Sequence, residues 1–127
     1  MNFMGPRAVG CLDSQRVLFC RLTQLTFLRL LTTAAVVSPF GIPPLSNQAA
    51  RSLYETFRGN SRIGWADEPN GLDATWKKLA SVSQPAPKLW MDTYLAAFAL
   101  SGGYRLMTTD RAFKQFKGLE VQVLGKN

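Results

Sequence analysis

The sequence contains no histidine, two cysteines and eight acidic residues among 127. Without imidazole, Ser-His-Asp and Cys-His nucleophilic catalysis are excluded, as is any zinc site that needs a histidine ligand. Cys11 and Cys20 are too few for a disulfide framework or a four-cysteine zinc site, which points to a reducing, cytoplasmic compartment. No uncharged apolar run reaches the roughly 20 residues that a membrane-spanning helix needs. The most apolar region, 17–37, is interrupted by Arg21 and Arg29. Internal repeats and low-complexity tracts are also lacking.

What is present amounts to one domain's length, 46% hydrophobic, enough for a single core. Fifteen Lys and Arg against eight Asp and Glu leave a net charge of +7. Such an excess favours a polyanionic partner, although it also describes an ordinary solvated surface. The chemistry available reduces to Asp13, Glu55, Asp67, Glu68, Asp73, Asp92, Asp110 and Glu120.

Residues 1–16 show neither a helical nor a strand period and read as irregular. The apolar run 17–20 reads as a short buried strand. Thr23 can cap a helix over 24–33, and Ser46 one that continues to Phe57. Between them, 38–44 (SPFGIPP) is a loop by its proline and glycine content. A weak strand at 62–66 precedes a helix over 71–81, with Leu72, Trp76, Leu79 and Ala80 on one face. Residues 91–100 give the clearest helix, stopped by Gly102-Gly103. A strand at 104–108, a short helix to Phe116 and a strand at 119–124 close the chain.

Short strands alternating with helices predict an α/β domain, a mainly parallel sheet flanked by helices on both faces. In such sheets sites form at the carboxyl ends of strands. Asp110 falls just past one strand, and Asp92 near a helix start, where the helix dipole favours a carboxylate. Converging carboxylates in a basic protein without histidine suit Mg2+ or Mn2+, which take oxygen ligands. The structural alternatives are that Asp92 is a plain helix N-cap and Asp110 a turn residue or cap.

The residue strings add to this. KLWMDTYLAAFA (88–99), followed by GYRLMTTDRAF (103–113), resembles the C-terminal signature of PIN-domain ribonucleases, and in particular the VapC toxins of bacterial toxin–antitoxin pairs. FCRLTQLTFLRLLT (19–32) resembles the second strand and following helix of that subfamily, and PNGL (69–72) with Trp76 its middle region. The resemblance spans roughly residues 17–124, in the same order. It implies a PIN-like domain over 17–127 and a magnesium- or manganese-dependent endoribonuclease acting on RNA. It also implies a cognate VapB-like antitoxin as partner, and a homodimer as one assembly. Carried over by position, Asp92 and Asp110 take the places of the third and fourth metal-binding acids. Thr108 takes that of the hydroxyl preceding the fourth. Arg29 matches an arginine that follows the second acid, with a role toward RNA or a partner; a plain surface arginine is the alternative.

Two positions depart from the family pattern. The opening strand that ends in the first acid has no match in residues 1–16, so the domain is expected to be incomplete and to lack its first strand. The second acid is replaced by Gln24. Two acids remain where four are expected, which predicts weak metal binding and doubtful activity. The alternatives are a noncatalytic PIN-like protein that binds antitoxin or RNA, and a truncated gene remnant. An empty strand slot would also leave its neighbours with unpaired backbone.

Overall fold

The computed structural model describes residues 8–12 and 16–124. Its five strands are β1 (Ala8–Leu12), β2 (Val17–Phe19), β3 (Ile63–Trp65), β4 (Arg105–Thr108) and β5 (Val121–Val123). The helices are α1 (Arg21–Leu31), α2 (Ala34–Val37), α3 (Asn47–Arg58), α4 (Leu72–Ala80) and α5 (Leu89–Gly102). Short 3-10 turns occupy Ser38–Phe40, inside the expected loop, and Arg111–Gln115.

The strands form one sheet in the order β3-β2-β1-β4-β5. β2 pairs with β3 in parallel and β4 with β5 in parallel, whereas β1 is antiparallel to both β2 and β4. Four strands therefore run one way and β1 alone runs against them, so the sheet is mixed.

The expectation of an irregular segment is corrected for Ala8–Leu12 alone. Part of that segment is the central strand, and the slot expected to be empty is filled. Cys11 pairs with Leu18 on one side and Leu106 on the other, so both neighbours have their backbone satisfied. The register against β4 shifts between Ala8 and Gly10, a bulge that inserts one residue. Gly10 explains why the period was unreadable. A Cβ there would lie 2.9 Å from Val17 Cγ1 and 3.1 Å from the Leu18 carbonyl oxygen, so the strand can approach only without a side chain. Residues 1–7 and 13–15, with the expectation of irregularity for them and the carboxylate of Asp13, lie outside the described residues, as do 125–127.

Helices cover both faces. Leu18 and Phe19 are consecutive in β2 and so point to opposite sides. Leu18 joins the main core with Leu95, Phe98 and Leu106, all buried. Phe19 meets Phe27 of α1 and Tyr54 of α3, at ring separations of 5.5 and 5.3 Å. α5 is apolar all round, which predicts burial. Its residues 95–99 are indeed wholly inaccessible. Gly103, at φ +70°, ends it in the left-handed conformation that glycine adopts without strain.

α1 begins earlier than expected. Its N-cap is Cys20, and Thr23 sits three residues inside, its hydroxyl accepting from the Cys20 backbone N–H at 2.8 Å. Cys11 and Cys20 are free and buried. Burial, with Cys20 nearby, pushes the Cys11 thiol up to about 12, so Cys11 serves as a small apolar core group. Among the described residues, no helix is long and apolar enough to cross a membrane.

Candidate active site

The carboxyl ends of β2, β3 and β4 open onto one edge of the sheet. Asp110 follows β4 by two residues. Thr108, the last residue of β4, is fully buried, and its Oγ1 accepts the Asp110 backbone N–H at 3.0 Å. Asp110 Oδ1 in turn accepts the Ala112 N–H at 2.9 Å, capping the 3-10 turn. The hydroxyl and the cap together fix where the Asp110 carboxylate stands. The capping alternative for Asp110 is thus real, and it occupies one carboxylate oxygen.

Asp92 lies in the first turn of α5 and is not its cap, because Lys88 holds that position. That disposes of the plain N-cap alternative. Thr93, buried beside it, donates its hydroxyl to the Leu89 carbonyl and ties down the same turn. The Asp92 carboxyl is raised above its ordinary range, first by burial and then by the charge of Asp110. Each effect disfavours the ionised form. The two acids singled out in the sequence are therefore electrostatic neighbours.

The remaining expected positions fall elsewhere. Gln24 is buried in α1 and accepts from Arg21 Nη1 at 2.5 Å. Arg21 also lies over the Trp65 ring, 4.8 Å from its centroid. Arg29 is exposed in the last turn of α1 and lines a groove of about 370 Å³ between α1 and α3, with Leu25, Leu28 and Arg51. The first acid has no counterpart in β1, whose residues AVGCL include no acid, and the strand's direction also differs from that of its neighbours. A strand running against its neighbours brings its amino end to the site: Ala8 pairs with Thr108, while Leu12 pairs with Val17 and Arg105 at the far edge. Among the described residues, no group of three or more acids, cysteines or histidines is placed to hold a metal ion.

Sequence reasoning missed a second feature of this edge. Arg21, Glu68, Trp76, Trp90, Met91 and Tyr94 line an open groove of about 560 Å³. Trp76 meets Trp90 and Tyr94 edge-on, at 6.2 and 5.4 Å between ring centroids, and donates its indole N–H to the Trp90 carbonyl at 3.0 Å. The Tyr94 hydroxyl donates to Glu68 Oε2 at 2.6 Å. Two tryptophans and a tyrosine in a short, basic chain were the available signal, but spacing alone read Trp76 as helix core.

The pair formed by Asp92 and Asp110 can do one thing chemically. Two carboxylates near one sheet edge, one of them half-buried and raised in part by the other's charge, suit a cation with oxygen preference. Mg2+ keeps several waters and accepts one or two protein carboxylates, so the donor set fits, though without the charge of a fuller site.

No protein-family profile matches the chain. Among curated proteins it is similar to Ribonuclease VapC41 of Mycobacterium tuberculosis, strains CDC 1551 / Oshkosh and ATCC 25618 / H37Rv. Each is 51% identical over 109 residues, which is 85% of this chain and 75% of the relative. That identity over most of both sequences, on an α/β fold whose sheet edge gathers Asp92 and Asp110, makes the chain a member of the VapC family of PIN-domain ribonuclease toxins.

Proposed function

We propose that the chain is a divalent-metal-dependent endoribonuclease whose site is centred on Asp92 and Asp110. The observation that carries this reading is the raised Asp92 carboxyl at the sheet edge, half-buried and within reach of the Asp110 charge. They would hold Mg2+ or Mn2+, and Thr108 would act as a positioning residue that fixes the backbone of Asp110. A bound cation of this kind supplies an activated water and stabilises the charge of a phosphoryl transition state. The excess of positive charge would retain the RNA backbone. A VapB-type antitoxin is the partner that membership of the family implies, in a cytoplasmic setting.

A second reading has its own support. Gln24 is neutral and engaged by Arg21, and β1 brings no acid to the edge. A noncatalytic PIN domain that binds RNA or antitoxin is consistent with both features.

Cleavage of single-stranded RNA, followed with Mg2+, Mn2+ or EDTA, separates the two. The first reading expects metal-dependent scission that Asp110→Asn abolishes, together with a Mg2+-induced rise in melting temperature that the variant lacks. Equal cleavage in EDTA would overturn the metal mechanism. Salt-sensitive RNA binding without any scission would establish the second reading.

A further inference from the structure

We propose that the groove between α1, α4 and the first turn of α5 binds one nucleotide of single-stranded RNA, its base stacked on Trp90, the base's amino group on Glu68 and its phosphate on Arg21. The inference takes its ligand class from the ribonuclease reading above but does not require a bound metal. It concerns recognition rather than the chemical step.

The groove's position is the first argument. Trp90, Met91 and Tyr94 share one side of α5, and Asp92, offset along the same turn, projects from the other. The groove and the acid pair thus flank one helical turn on one sheet edge, where a single strand can reach both. Arg21 and Glu68 border the groove because each follows the end of a parallel strand, β2 and β3 respectively.

Its chemistry is the second argument. Trp90 is 59% exposed, although the backbone beneath it is pinned by the Trp76 indole. A flat, largely exposed indole suits stacking, because every base has a π face. Tyr94 fixes one oxygen of Glu68 and leaves the other as an acceptor. A carboxylate accepts from the amino group of cytosine or adenine, and at that edge uracil offers an acceptor instead. Arg21 retains N–H donors beyond the one given to Gln24, and guanidinium suits phosphate. An aliphatic peptide side chain in the same place would strip water from Arg21 and Glu68 and pair neither. A nucleotide brings a partner for each of the three.

The test uses the full chain in EDTA, with short labelled oligocytidylate and oligouridylate as probes. Trp90→Ala is expected to weaken oligocytidylate binding about tenfold, and Trp90→Phe to recover most of that loss. Arg21→Gln is expected to weaken both probes and to lower the salt dependence by about one phosphate contact. Glu68→Gln should erase the preference for oligocytidylate. Melting curves establish that each variant is folded. A folded Trp90→Ala that binds both probes like the wild type overturns the proposal, and an antitoxin peptide lost by that variant alone would then identify a protein segment as the occupant. Failure of the two readings is distinguishable. Trp90-dependent binding without scission on adding Mg2+ leaves the groove standing and removes the ribonuclease. Scission by a wild type with no measurable affinity for either probe does the reverse.

Discussion

On the β4 side of the sheet edge, burial raises the cost of ionising Asp92, and the like charge of Asp110 adds to it. On the β2 side, Gln24 is just as firmly placed, yet its carbonyl oxygen already accepts from Arg21, and Arg21 rests on Trp65. One side leaves an electrostatic demand unmet within the chain, and the other satisfies its own. Unmet carboxylate charge at a sheet edge suits a cation, whereas Gln24 already has its partner and only the remaining donors of Arg21 stay available. Between the two lies β1, which holds the sheet together but, by its direction, delivers backbone where a parallel strand could deliver an acid.

The largest test of this contrast is catalytic. If the β4 side carries the chemistry, Asp92→Asn and Asp110→Asn should each reduce Mg2+-dependent RNA cleavage by a factor of roughly 10²–10³, the range seen when one preorganised charge-stabilising group is removed. Gln24→Ala should change the rate far less. A Gln24→Ala effect as large as that of Asp110→Asn would show that the β2 side takes part on equal terms.

Next in size comes the strand that separates the two sides. Gly10→Val places a branched side chain against Val17 and the Leu18 carbonyl. Overpacking of this kind costs about 1–3 kcal/mol. Urea titration of the variant should show that loss with an unchanged slope. A variant as stable as the wild type would mean that β1 does not occupy the central slot in solution.

Gln24→Glu sharpens the comparison from the opposite direction. It introduces a third carboxylate at the edge, and Arg21 is already placed to pair with it. Metal affinity follows ligand charge, so Mg2+ should bind more tightly, by about tenfold if Arg21 leaves the new charge partly available. Calorimetric titration measures this directly. An unchanged affinity would place the β2 side outside the metal's reach.

Much of this contrast was legible beforehand, and the parts that were not share a cause. α4 was readable from its apolar period, and α5 and β4 from an apolar run stopped by Gly102-Gly103 and followed by a short strand; Asp92 and Asp110 followed from where those elements begin and end. β1 was not, because Gly10 and a bulge interrupt its alternation, and because strand direction is set by pairing and leaves no local trace. Thr23 looked like a cap because threonine commonly is one. Which residue opens a helix depends on where the preceding strand stops, and here Cys20 does. Departure of Gln24 from the family's acid was visible, but its capture by Arg21 was not: a side chain three residues earlier in a helix has several directions open to it, and Trp65, far away in sequence, selects one. The aromatic groove depends likewise on three elements meeting.

The smallest expected effect is on stability, and its sign separates a site from a scaffold. A carboxyl whose folded pKa lies above its unfolded value stabilises the fold while protonated, and that contribution disappears as pH rises through the folded pKa. The Asp92 carboxyl is raised in this way. Relative to Asp92→Asn, the wild type should therefore lose stability as pH climbs from the ordinary carboxyl range through the raised value, and the difference should stay constant above it. Because Asp92 is only half-buried, solvent keeps the effect small, and it favours the variant at neutral pH. Saturating Mg2+ should narrow or reverse the gap, since it stabilises only the chain that binds it. Melting temperatures of the two proteins, across pH and with and without Mg2+, test all three statements. A variant less stable than the wild type at neutral pH without metal would mean that Asp92 is a structural carboxylate with a partner in the fold, and the ion-seeking character assigned to the β4 side would be lost with it.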